Sequence, residues 1–159
     1  MNRIYQEAVS NKIQYHSEEI GRIKECGSRE PVWSEEKYLF YKKRGKTRFE
    51  PFGVPIGTIG VYRIIYEPTM ETVSIGQGVI GSRLGRHRET FLNGGKYVRG
   101  NDASWGSQTG IKMHRYDSKR KYWMFSWCYV GNKSLAKAYE KLLQELEEPI
   151  FNALSMGGK

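Results

Sequence analysis

The chain has 159 residues, and 26 Lys+Arg stand against 17 Asp+Glu for a formal charge of +9 at neutral pH. That length closes one hydrophobic core and is too short for a dinucleotide-binding domain plus a substrate domain, while the basic excess points to a polyanionic partner. Cys26 and Cys128 lie far apart in no metal-ligand spacing, which disfavours a zinc site or disulfide scaffold and fits a reducing, intracellular setting.

Residues 2–24 place Ile4, Ala8, Ile20 and Ile23 among polar residues, an imperfect helical pattern. No secretory signal pattern is expected there, and no stretch of the sequence approaches the roughly 20 apolar residues of a membrane span. A second short helix is expected over 34–41, with Ser34 at its N-cap. Residues 42–48 hold five cations, among them Lys43, Arg44 and Lys46, and read either as a solvated linker or as a phosphate-contacting arm. Prolines and glycines over 51–57 mark the start of the main domain, so residues 1–50 read as an N-terminal helical and basic extension and 51–159 as the principal domain.

A strand over 61–66 and a return strand over 71–76 read as a hairpin. Glycines at 76, 78 and 81 follow, and then a helix over 82–92, capped by Gly81 or Ser82 and stopped by Asn93-Gly94-Gly95. Residues 96–121 lack periodicity and read as a long loop, the core of a basic insertion over 94–121. A buried strand over 122–130 and a helix over 135–147, ended by Pro149, complete the chain. The expected architecture is α+β: a small, mostly antiparallel three-stranded sheet flanked by helices.

Gly76-Gln77-Gly78-Val79-Ile80-Gly81 matches G-x-G-x-x-G, but a dinucleotide site needs a βαβ unit and an acidic residue after the next strand. Here the preceding strands form a hairpin, and Asp102 lies in a polar stretch, so no nucleotide cofactor is expected. Glycines ahead of a helix still suit a phosphate near its N-terminus.

A different constellation is more informative. Gly60-Val61-Tyr62 is followed by Ser74-Ile75-Gly76, then by Arg83 and His87 four residues apart. Far downstream stand Glu140 and Pro149-Ile150-Phe151-Asn152. In this order the residues resemble the GIY-YIG nuclease superfamily, over 57–93 and 122–152. The resemblance implies a Tyr62, Arg83 and Glu140 catalytic set, with His87, Ser74 and Asn152 in secondary or supporting places. It also implies one Mg²⁺ or Mn²⁺ per active site, held by Glu140. The chemistry is coherent. A tyrosine hydroxyl can orient or deprotonate water if nearby cations lower its pKa. Arg83 offers a planar fork to phosphate, and a single carboxylate suits a hard divalent ion that keeps most of its waters. Ser74 stands where the family usually has Tyr, and Gln77 where a lysine often follows.

Ten cations against three acids over 83–121, interleaved with aromatic residues, suit a nucleic-acid surface. The expected contacts are Arg86, Arg88, Lys96, Arg99, Trp105, Gln108, Lys112, Arg115, Lys119, Arg120 and Lys121, with the cations near 44 added. The implied activity is site-specific cleavage of double-stranded DNA, of restriction type, in the cytoplasm of a bacterial or phage-infected cell. A homodimer matches a palindromic site. The alternatives are a low-specificity endonuclease and a catalytically impaired DNA-binding relative.

Overall fold

The structure, a computed structural model, describes residues 32–40, 52–96 and 107–152. Its centre is a four-stranded antiparallel sheet in the order β1-β4-β2-β3. The strands are β1 (Lys37–Tyr38), β2 (Ile59–Tyr66), β3 (Glu71–Val79) and β4 (Trp123–Tyr129). Among the described residues it is flanked by the helices α1 (Ile80–Leu92), α2 (Gln108–Tyr116) and α3 (Lys133–Glu147). The α+β plan is as expected, with one strand more than the three anticipated.

The β2–β3 hairpin forms where β-branched and aromatic residues flank the Glu67-Pro68-Thr69-Met70 turn, with Met70 at positive φ. Opposite Ile64 and Ile65 the register shifts, and Val73 is the extra residue of a bulge. Alternation along β2 divides the core. Tyr62 and Ile64 join Leu84, Phe91, Met113, Trp123 and Phe125 on one face. Val61 packs with Ile75, Cys128, Ala136, Tyr139, Leu142 and Leu143 on the other. Burying these side chains stabilises by roughly 1.5–3 kcal/mol each for the larger aliphatic and aromatic ones.

Three expectations need correction. The segment expected as a helix over 34–41 is not helical where it is described, up to residue 40: Trp33 bridges to Cys128, and Lys37 and Tyr38 pair with Phe125 and Met124. Ser34, expected as a helix cap, donates its N–H to the Trp127 carbonyl at 2.7 Å and accepts the Trp127 N–H on Oγ at 3.0 Å. Pairing to a distant strand outweighs the local cap preference. Leu39 is fully buried, so this part of the N-terminal extension is integral to the sheet and core. The helical reading of 2–24 lies outside the described residues.

The long loop expected over 96–121 contains α2, N-capped by Ser107, whose Oγ accepts the Gly110 N–H at 2.9 Å. Gly110 lets α2 lie close against α1, since a Cβ there would stand 2.7 Å from the His87 carbonyl oxygen. Finally, Gly76 and Gly78 belong to β3, and α1 begins at Ile80 with Val79 as N-cap, so neither Gly81 nor Ser82 caps it.

The C-terminal helix has the expected position. Asn132 caps it by accepting the Leu135 N–H at 3.1 Å, and Glu148 in the left-handed region ends it before Pro149. Among the described residues no helix is long and apolar enough to cross a membrane.

Candidate active site

Tyr62 lies in the middle of β2, directly opposite Gly76 of β3. Its ring covers Gly76 so closely that any Cβ at that position would run into the phenol. Two residues along β3, Gly78 has φ +127°, and a Cβ there would meet Arg83 Nε at 3.1 Å. The glycines that imitate a phosphate-binding loop in sequence form a bed across which Tyr62 and Arg83 lie.

Behind Tyr62 is a buried polar chain. Its hydroxyl is 2.6 Å from His87 Nε2, and the other ring nitrogen, Nδ1, is hydrogen-bonded to Ser107 Oγ. The Ser107 N–H in turn donates to Thr90 Oγ1 at 3.1 Å. Tyr62 is 4% exposed and His87 6%. Burial, then the charges of Arg83 and Arg86, push the His87 pKa down to about 3, so the ring is neutral near pH 7. A neutral imidazole has one donor and one acceptor nitrogen, and either tautomer completes the chain from Tyr62 to Ser107.

Burial also raises the Tyr62 pKa well above its ordinary value; Arg83 opposes the rise and Glu140 adds to it. The condition that nearby cations lower the pKa of this phenol is not met. The one helpful charge is outweighed by loss of water around the phenolate, and Tyr62 is a neutral hydroxyl.

Glu140 approaches from α3, on the opposite face, at the free edge of β3. Its carboxylate accepts the backbone N–H of Gln77. Burial raises its pKa, while Arg83, Lys137 and the Gln77 N–H lower it. The same edge is held by two further side chains. Asn152 Oδ1 accepts the Ile75 N–H at 2.9 Å and its Nδ2 donates to the Ile75 carbonyl at 3.3 Å. Gln144 Nε2 donates to that carbonyl at 3.0 Å. Asn152 therefore holds the strand that carries Gly76. Ser74 pairs with Ile64 on the Tyr62 side of β3 and is 3% exposed, so its hydroxyl is closed from solvent.

Tyr62, Arg83 and His87 thus lie on one face of the β2–β3 pair, and Glu140 stands at the outer edge of β3 beside Gln77, near enough for its charge and that of Arg83 to act on the Tyr62 phenol. The expected DNA contacts are more dispersed. Arg86 is exposed on α1, and Arg88 is half-buried. Lys96 is exposed beyond α1, Gln108 and Arg115 are exposed on α2, and Arg120 is exposed in the short turn after it. Lys119 and Lys121 flank the Tyr122 ring at 5.6 and 5.0 Å. Lys112 is committed internally: its Nζ donates to the Phe151 carbonyl at 2.8 Å, tying α2 to the segment after α3. Lys43, Arg44, Lys46, Arg99 and Trp105 lie outside the described residues.

Three contributors were not anticipated. Ser107 anchors His87, and its place before Gln108-Thr109-Gly110 is an N-cap signal readable in the sequence. Lys133 and Lys137 line a cleft of about 450 Å³ that also takes in Arg83 and Arg86. Their spacing to Glu140 along one helix was the available clue.

Glu140 fits the chemistry of a hard divalent ion. One carboxylate, with water and phosphate oxygens completing the shell, is an ordinary magnesium donor set. No group of three or more His, Cys, Asp or Glu gathers among the described residues.

Compared with known proteins, the chain matches no family model, no curated protein and no solved structure.

Proposed function

We propose that the protein is a metal-dependent DNA endonuclease whose active site is Tyr62, His87, Arg83 and Glu140. The observation that supports this most is the 2.6 Å contact between the Tyr62 hydroxyl and a neutral His87, with Arg83 and Glu140 acting electrostatically on the same phenol. A buried Tyr–His pair beside a cation and a carboxylate at a sheet edge has little structural purpose that two apolar side chains would not serve.

In this reading Arg83 binds the scissile phosphate through its guanidinium fork. Tyr62 donates its proton to His87 Nε2 and orients the attacking water with its oxygen. As water attacks, its proton passes to Tyr62 while the Tyr62 proton passes to Nε2, so no free phenolate forms. The phosphate at Arg83 offsets one of the charges that weaken His87 as a base. Ser107 accepts from Nδ1 and fixes the ring. The Glu140 carboxylate would hold a magnesium or manganese ion, which when bound would supply Lewis-acid stabilisation of the leaving oxygen. Restriction-type cleavage at defined sites is the expected mode.

The test is incubation of the purified protein with unmethylated duplex DNA, in Mg²⁺ and in EDTA. Discrete Mg²⁺-dependent fragments are expected. Glu140→Gln, Arg83→Ala and Tyr62→Phe should each lower the rate by about 10²-fold or more, the usual effect of removing a proton-transfer or charge-stabilising group. Wild-type rates in all three would sink this active site. Salt-sensitive binding with no cleavage in any divalent ion would replace it with a binding-only function.

A further inference from the structure

The cleft between α1 and α3 is not explained by the four residues above. It has a volume of about 450 Å³, and Arg83 and Arg86 on one wall are joined by Lys133 and Lys137 on the other. Ser82 and Ser134 add a hydroxyl from each helix, and no carboxylate lines it. All four cations are exposed, and none is ion-paired among the described residues.

Four like charges around one concavity repel each other, and an anion placed among them relieves that repulsion. The volume exceeds what a single phosphate fills and lies in the range of nucleotide-sized ligands. The two cation pairs come from different helices, so they present two positions for negative charge. Arg83 belongs to both the cleft and the candidate active site, and the Lys137 charge acts on Glu140 one turn further along α3.

Resting on the nuclease reading, we infer that this cleft seats the backbone phosphates next to the scissile one on the cleaved strand. That strand passes from Arg83 between the helices toward Lys133. The principal phosphate track then runs over the start of α3, a part of the chain outside the basic stretch at 83–121. Phosphate contacts of this kind set register and affinity and read no base.

The experiment is fluorescence anisotropy of a short labelled duplex with Glu140→Gln protein across a salt series. That variant keeps an oxygen acceptor for Gln77. Adding Lys133→Ala and Lys137→Ala should reduce the salt exponent by about 2 and affinity on the order of 50-fold near 0.1 M salt, as two lost phosphate contacts imply. Lys133→Arg with Lys137→Arg should restore both. In the cleaving protein the alanine pair should raise KM with little change in kcat, the mark of lost uniform binding. An unchanged exponent and affinity, while wild type still cleaves, overturns the cleft and leaves the active site standing. Failure of the Glu140→Gln protein, with its lysines intact, to bind duplex at low salt overturns both. Both lysines are exposed, so a thermal melt of each variant separates lost binding from lost fold.

Discussion

Tyr62 and Arg63 are neighbours on β2 and face opposite sides of the sheet, and each brings a polar group into the core. Arg63 is answered locally. Its Nη2 meets Glu147 Oε2 at 3.0 Å, and its guanidinium lies 3.9 Å over the Trp33 ring. The pair is 10% and 17% exposed. Charge, countercharge and aromatic surface make a closed arrangement that ties the N-terminal segment and the end of α3 to the sheet. Tyr62 has no opposite charge. Its partner is a neutral ring held by a serine, and the charges that act on it, Arg83 and Glu140, pull in opposite directions. The first arrangement has the form of a fastening, whereas the second leaves a hydroxyl with spare lone pairs beside unmatched charge.

Separating the two is a matter of substitution. Arg63→Met leaves the Glu147 carboxylate without its partner and should cost about 3 kcal/mol in denaturant unfolding. Replacing Glu147 by Leu as well should recover much of that loss. Cleavage per folded molecule should stay near wild type; a large fall in kcat at unchanged stability would place Arg63 in the active site and erase the contrast.

The Tyr62 side should be distinguished by acid. A histidine whose pKa falls from an ordinary 6.5 to about 3 on folding binds fewer protons in the native state than in the unfolded one. Stability is therefore complete above about pH 6.5 and declines as pH drops toward 3. Between pH 7 and pH 5 this group alone should remove about 2 kcal/mol. His87→Gln should lower overall stability and flatten that slope. A slope unaffected by the substitution would mean that His87 is not held neutral.

The smallest effect belongs to the element shared by both sides. Asn152→Ala removes one acceptor and one donor from the Ile75 backbone and should cost about 1–2 kcal/mol. If Asn152 is purely a support, Asn152→Asp should keep the acceptor for the Ile75 N–H and retain most of the stability.

Much of this geometry was legible in the sequence, for identifiable reasons. β2, β3, β4, α1 and α3 carry their signals within single windows: β-branched and aromatic runs, helical apolar spacing, Asn132 before Lys133. What escaped depends on distant partners. β1 is two residues long and exists because Trp33 to Tyr38 align with β4. α2 has only Gly110 and Met113 buried, too few apolar positions to show a period. Within the site, the order of Tyr62, Arg83, His87 and Glu140 could be read along the chain, but the acidity of Tyr62 could not. That quantity depends on how completely water is excluded around the phenol, which no local pattern of residues reports. Lys133 and Lys137 lie outside 83–121, where cations are dense along the chain, and their convergence with Arg83 and Arg86 across two helices is a property of the fold.

The outer side of β3 has one more consequence. A strand at the margin of a sheet presents unpaired N–H and C=O groups that another chain can adopt as a template. Here Glu140, Gln144 and Asn152 occupy those groups at Ile75 and Gln77. One of the three is also the proposed metal ligand. Chemistry and protection against strand addition thus draw on a single row of side chains. Even a variant without the proposed cleavage would gain from a hydrogen-bonding residue at position 140, because losing it uncovers the Gln77 part of that margin.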